Sequence, residues 1–313
     1  MPKPFMTYEQ QIQKLRDKNL TITDEDEAMS ILKQDGYYAL ITGYKDLFKN
    51  SSTKDYRDGT TLHDILTLYQ FDERLRELTL RHLLHIERHI RSSLSYAFCE
   101  RFGDQQSAYL NSANYDNTVK KKNAINRLIT KHLTPLLKTQ TRYPFLEHNK
   151  KAHGNVPLWV LVNALSFGTL SKMYELSAPQ IQYAISRDFI AVNEKQLGQI
   201  LDVLTDYRNL CAHNERMFSH RCGKKDIPDL PLHKKLGIPM RGNYYLHGKR
   251  DYFAVVLAFR YLLPNSEFLR YKLHLNQLIE KAVNDNQQIS RNNLLSIMGF
   301  PQNWKKVTSY RKV

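Results

Sequence analysis

The sequence predicts an all-α fold, and three observations carry that prediction. Apolar residues recur at helical spacing along most of the chain, and no run of short alternating strands appears. One stretch, "GTTLHDILTLYQFDERLRELTLRHLLHIERHIRSSLSYAFCERFG", keeps the helical pattern unbroken from Gly59 to Gly103. No repeat of fixed period is present, which leaves a helical bundle with loop excursions rather than a solenoid.

Each element has its own signal. "TYEQQIQKLRDKNL" opens with Thr7 and Gln10 at capping-box spacing and then carries Ile12 and Leu15. "TDEDEAMSILKQDGYYALITGY" is a second helical unit, with acids in its first turn and Gly36 near its end. After the long helix, "GDQQSAYLNSANYDNTVKKKN" reads as loop and short helix, and "NAINRLITKHLTPLLK" as helix up to the strain imposed by Pro135. "TRYPFLEHNKKAHGNVP" reads as a loop, and "LWVLVNALSFGTLSKMYEL" as one buried helix that tolerates Gly168. "EKQLGQILDVLTDYRNLCAH" is amphipathic, with Leu197, Ile200, Leu201 and Leu204 on its apolar side. From Arg216 to Arg250 the pattern dissolves into Gly, Pro, His and Lys, before helices resume in "DYFAVVLAFRYLL" and "SEFLRYKLHLNQLIEKAVND". The divisions expected are an N-terminal helical region (1–58), a helical core (59–218), and a basic loop region with C-terminal helices (219–313).

Composition narrows the function. At 42% apolar, the 313 residues can build a real core, which excludes a disordered chain. Lys plus Arg exceed Asp plus Glu by 46 to 31, a formal charge of +15 that favours a polyanionic partner, of which nucleic acid is the commonest. Cys99, Cys211 and Cys222 offer neither CxxC spacing nor a disulfide framework, as expected for a reducing cytosol. The opening lacks an apolar signal region and the longest apolar runs are too short to span a bilayer, so a soluble protein without membrane attachment is expected.

Within the long helix Leu68, Phe71, Leu75, Leu78, His82, His85 and His89 follow steps of 3 and 4, which predicts one face that turns from apolar to imidazole halfway along. A second stripe, Leu83, Ile86, Ile90 and Leu94, packs that half from another side. Three histidines on one face invite a metal, but no HExxH order accompanies them. Hydrogen-bonded core or interface histidines are expected instead, with neither metal nor other cofactor. Glu87 and Arg91, at i and i+4, read as a helix salt bridge or as a polar pair lining a cleft.

Basic clusters recur in the expected loops: Lys120, Lys121 and Lys122; Lys150 and Lys151; Lys224 and Lys225; Lys234 and Lys235; Lys249 and Arg250. Tyr244, Tyr245 and Tyr252 lie near the last of these, a mixture suited to single-stranded RNA, where bases stack and phosphates pair with cations. Gly242, Gly248 and Lys249 do not make a phosphate-binding loop, because five residues separate the glycines and Arg250 stands where Ser or Thr belongs.

The stretch "DYRNLCAHNERMF" combines Arg208, Asn209 and His213 at a helix end. Histidine exchanges a proton near neutrality, arginine presents a planar fork to two phosphate oxygens, and an RNA chain brings its own nucleophile, the 2′-OH. One imidazole and one fixed cation therefore suffice to cleave RNA without metal. On a regular helix Arg208 and His213 lie about 140° apart, so sharing a face requires the helix to end or bend between them. Cations that simply complement the helix dipole are the alternative.

"RNLCAH" resembles the R-[polar]-x(3–5)-H signature of HEPN ribonucleases, helical bundles that carry this motif at a helix end. The wider sequence resembles the bacterial Abi (abortive infection) family of the AbiD/AbiF type, through "KPFMTYEQQIQKLRDKNLTI", "AMSILKQDGYYALITGYKDLF", "IERHIRSSLSYAF", "PLWVLVNALSFGTLSKMYE", "YRNLCAHNERMF" and "MGFPQNW" in matching order. The resemblance implies a HEPN-like bundle with an N-terminal helical extension and basic loop insertions. It makes Arg208 and His213 the catalytic pair and Asn209 the orienting polar residue, and more loosely it makes Glu87, Arg91 and His89 supporting groups. Relatives often carry a second histidine where this chain has Asn214. HEPN nucleases usually work as dimers with both motifs facing one composite site, so a homodimer is implied.

The expectation is a metal-independent endoribonuclease acting in phage defence or as a toxin. Its alternative is a module that holds a small structured non-coding RNA without cutting it.

Overall fold

The structure, a computed structural model, describes residues 4–138 and 142–312. Its spine is helix α3, Leu62–Phe102, which runs for 41 residues. Thr61 and Asp64 cap its start reciprocally, and Gly103 ends it at φ 87°, a backbone conformation that a side chain would resist. Ahead of it, α1 (Tyr8–Arg16) packs on α2 (Glu25–Asp35). The Thr7–Gln10 capping box forms as the sequence predicts, and Gly36 closes α2. A π turn over Tyr38–Thr42 and a 3-10 turn over Lys45–Phe48 then bury Leu40, Ile41, Tyr44 and Phe48.

Short elements follow: α4 (Gln106–Leu110), α5 (Lys122–Arg127), α6 (Pro144–His153), α7 (Leu158–Leu161), α8 (Phe167–Leu176) and α9 (Pro179–Ser186). The second long helix, α10 (Glu194–Ala212), starts on an Asn193–Gln196 capping box. After it come α11 (Pro231–Lys235), a two-stranded hairpin of β1 (Met240–Arg241) and β2 (Tyr244–Tyr245), and then α12 (Tyr252–Leu262), α13 (Asn265–Asn284) and α14 (Arg291–Ile297). Helices α7 to α10 and α13 lie against α3, and α10 also meets α8 and α12. Every residue of α12 is buried, as an all-round apolar helix requires. The protein is predominantly all-α, as the sequence predicts. Among the described residues no helix is long and apolar enough to cross a membrane.

Three sequence expectations are corrected. The stretch expected as a loop is largely α6; Pro144 in its first turn, Lys150, Lys151 and His153 in its last, and the left-handed Gly154 beyond it are all helix signals. Its first residue, Thr141, lies outside the described residues. The expected single helix of 158–176 is broken between α7 and α8, because Ser166 adopts an extended conformation and caps the Thr169 amide.

Last, the stripe of α3 does not keep to one face. His82 is buried, His85 half-buried and His89 exposed. A 3.5-residue repeat drifts about 20° per heptad on a 3.6-residue helix, so three heptads carry His89 round to solvent. Leu83, Ile86, Ile90 and Leu94 take over the core side, each buried.

Candidate functional site

The end of α10 changes character over one turn. Leu204, Tyr207 and Leu210 are buried, Arg208 is half-buried, and Asn209 and His213 are exposed. His213 is the C-cap, and its amide still donates to the Asn209 carbonyl at 3.0 Å. The helix therefore neither bends nor ends between Arg208 and His213. Because the α-helical hydrogen bond persists, the two stay about 140° apart in one chain, and the bend that would bring them together is absent. Asn209 and His213, at i and i+4, share a face instead. The Arg208 Nε is buried without a partner among the described residues, a donor left open.

Asn214 follows in the left-handed region at φ 54°, and the Glu215 amide donates back to the Leu210 carbonyl at 3.0 Å. This is a Schellman ending, and it gives a physical reason for asparagine at a position expected to hold a second histidine.

The next residues are held by a buried clamp. Asp72, fully buried on α3, accepts from the amides of Met217 at 2.9 Å and Phe218 at 2.7 Å. It also accepts from the Tyr44 hydroxyl at 2.7 Å and from Arg76 at 2.9 Å. Arg76 reaches on to the Glu215 carbonyl at 3.3 Å. Burial pushes the Asp72 carboxyl above its ordinary range, while the Met217 amide, Tyr44 and Arg76 pull it back. Sequence reasoning missed Tyr44, Asp72 and Arg76. The signal for Asp72 and Arg76 was an acid and a base at i and i+4 set among apolar positions that face the core.

Glu87 and Arg91 form the expected ion pair, with Glu87 almost wholly buried. Arg91 also donates to the Leu165 carbonyl at 2.8 Å, which ties α3 to the break before α8. Among the described residues, Glu87 Oε2 and Arg91 Nε are buried without partners. His89 does not join them: it contacts Asp188 at 3.3 Å and rests its ring 4.8 Å from Phe189.

A pocket of about 730 Å³ opens beside Asn209. Asp202 and Thr205 of α10, Lys172 of α8, Arg127 and His132 from the α5 side, and Lys225 line its polar part. Gly168 lets α8 approach α10 there, since a Cβ would stand 3.3 Å from Thr205 Cγ2. Burial raises the Asp202 carboxyl above its usual range, against the pull of Lys225. Lys225 itself donates to Asp206 at 2.8 Å. Burial works to lower the Lys225 ammonium, but the Asp206 partner outweighs it and the net shift is upward.

The remaining basic residues divide into exposed and engaged groups. Lys120, Lys122, Lys151 and Lys224 are exposed. Lys121 pairs with Asp116 at 2.7 Å, and Lys150 donates to the Leu136 carbonyl at 3.3 Å. Lys249 is buried against Asp229 at 2.6 Å, and Arg250 engages Asp226 and the Tyr244 hydroxyl. Tyr245 stacks on His233 with ring centres 4.8 Å apart. The hairpin region is thus knitted together by its own charges and rings.

Fold and site together define a helical protein whose rigidly held, polar helix end borders a cationic pocket. The chain belongs to the Abi-like protein family, whose profile matches residues 30–219. That membership points to abortive infection, a phage-defence response. The matched segment includes Tyr44, Asp72, Arg76 and the whole Arg208–His213 motif, and ends one residue past Phe218. No curated protein and no solved structure matches the chain.

Proposed function

We propose that this protein is a HEPN-type, metal-independent endoribonuclease that acts in abortive infection. The observation that carries the reading is the end of α10: an exposed imidazole and amide on one helix face, the amide on the wall of a cationic pocket, followed by a chain segment that the Asp72 clamp holds. His213 takes the proton from a 2′-OH as that oxygen attacks the adjacent phosphorus. The 5′-oxygen leaves and takes a proton, which gives a 2′,3′-cyclic phosphate and a 5′-OH. Arg208 supplies the charge that the crowded phosphorane needs, and Asn209 orients the phosphate.

Arg208 and His213 point about 140° apart around one helix, which favours a composite site between two copies. In a homodimer with the two α10 ends facing, the guanidinium of one chain meets the imidazole of the other, and a second His213 protonates the leaving oxygen. Glu87 and Arg91 hold the α7–α8 break that forms one wall of the pocket. The exposed Lys120, Lys122, Lys151 and Lys224 would follow the RNA backbone.

The test is cleavage of end-labelled total RNA by wild type and His213→Ala in the presence of EDTA. Cutting by wild type alone, with cyclic-phosphate ends, is expected. Products with 5′-phosphates, or loss of cutting with chelator, would overturn the mechanism. Tight retention of RNA by both proteins without cutting would identify a binding module, whose affinity should fall with salt at a slope of about 0.7 per phosphate neutralised on single-stranded RNA.

A further inference from the structure

The pocket beside Asn209 carries chemistry that the cleavage step does not use. At about 730 Å³ it falls within the range that holds a whole small ligand rather than a single group. Two of its polar groups are uncommitted: among the described residues neither the Arg127 guanidinium nor the Asp202 carboxylate forms an ion pair. Arg127 is exposed at the mouth and Asp202 is half-buried within. Lys225 stands nearby, its ammonium already turned to Asp206 and, at 3.5 Å, to the Asp202 carbonyl. A cation at the mouth and an acceptor inside suit a ligand with an anionic end and a donor-bearing end.

We propose that this pocket is a subsite for a guanine nucleotide, whose phosphate Arg127 holds while Asp202 reads the base. A carboxylate offers two parallel acceptors. Only guanine presents two adjacent donors, N1–H and the exocyclic N2–H, on its Watson–Crick edge. Adenine and cytosine pair one donor with a ring acceptor there, which would face the carboxylate with like partial charge, and uracil sets one donor between two acceptors. The desolvation that lifts the Asp202 carboxyl out of its usual range is what a paired N–H donor relieves. Asn209, on the pocket wall, connects this subsite to the face of His213. In that setting the guanine is a unit of the RNA chain beside the scissile phosphate, an identification that rests on the ribonuclease reading.

The test is calorimetric titration of the full-length protein with the 3′-monophosphates of guanosine, adenosine, cytidine and uridine, and with guanosine 5′-triphosphate. Guanosine forms are expected to bind at least about fivefold tighter than the other three, the least that an unmatched buried polar group costs. Asp202→Asn should erase that preference by weakening the guanosine forms and strengthening those of adenosine and cytidine, because an amide pairs one donor with one acceptor as their edges do. Arg127→Ala should weaken all four monophosphates alike. Equal affinities, or a guanine preference that survives Asp202→Asn, would overturn the proposal, as would the lack of any saturable binding.

Stronger binding of the 3′-monophosphate assigns the unit to an RNA chain, and stronger binding of the triphosphate assigns it to a free nucleotide. Guanine preference in a protein that cuts nothing would keep the subsite and remove the ribonuclease. Cutting with no nucleotide preference would do the reverse.

Discussion

At the scale of single residues, Asp72 holds the chain that directly follows the motif. Four donors converge on its carboxylate, and two of them are the backbone amides of Met217 and Phe218, just beyond the end of α10. Removing the carboxylate leaves Arg76 as a nearly buried cation with its partner gone. Breaking a buried pair in this way costs about 3–5 kcal/mol, so Asp72→Ala should lower the urea midpoint by that equivalent. Asp72→Asn keeps the volume and isolates the clamp from packing. In that variant, amide hydrogen exchange at Met217 and Phe218 should accelerate more than exchange in the middle of α3. Unchanged protection at both amides would show that the loop is held by something else. The motif itself was legible because arginine and histidine announce their chemistry. Asp72 was not, because an i, i+4 acid–base pair is common on helix surfaces and only tertiary contact shows that this one is buried.

At the scale of elements, α3 shows how far periodicity can be trusted. The sequence correctly predicts one continuous helix between Gly59 and Gly103, since both ends carry a cap and nothing inside breaks it. It misplaces the histidine stripe, because a heptad spacing read on a straight helix drifts with length. The drift leaves His82 in the core, with its ring 5.2 Å from Tyr271 and 6.1 Å from Phe259. Burial lowers its pKa to about 4, against an ordinary value of 6.5. A folded pKa below the unfolded one gives stability that is whole above pH 6.5 and is lost as pH falls through 4.

Asp251, the N-cap of α12, has the opposite sign. Burial raises it to about 6 despite Arg221, so its contribution is whole below pH 3.8 and fades as pH rises through 6. Between pH 4 and 6 the two slopes oppose each other. His82→Leu, which removes only the imidazole contribution, should leave a protein whose stability no longer drops with acid through His82, so that the Asp251 slope emerges. Thermal midpoints of wild type and variant at pH 7, 6, 5 and 4 test this. Parallel curves would mean that His82 titrates alike in the folded and unfolded chains.

At the scale of the whole molecule, charge and family were legible from composition and from motifs spread across the chain, whereas the arrangement of charge was not. The +15 balance suggests an evenly basic surface. In the fold, Lys121, Lys225, Lys249 and Arg250 each face a specific acid, and part of that charge holds the molecule together. What stays open is the end of α10, where a single chain directs Arg208 and His213 to different sides. If activity needs two facing copies, then a chain lacking its imidazole should poison a wild-type partner. Mixing equal amounts of wild type and His213→Ala and allowing subunits to exchange leaves about one quarter of dimers fully wild type, if pairing in the symmetric dimer is random. Cleavage per wild-type chain should then fall by about half relative to wild type alone. Cleavage that stays proportional to wild-type chain number would place the whole reaction within one chain. The unpartnered Arg208 Nε would then belong to that chain's own phosphate grip rather than to a shared one.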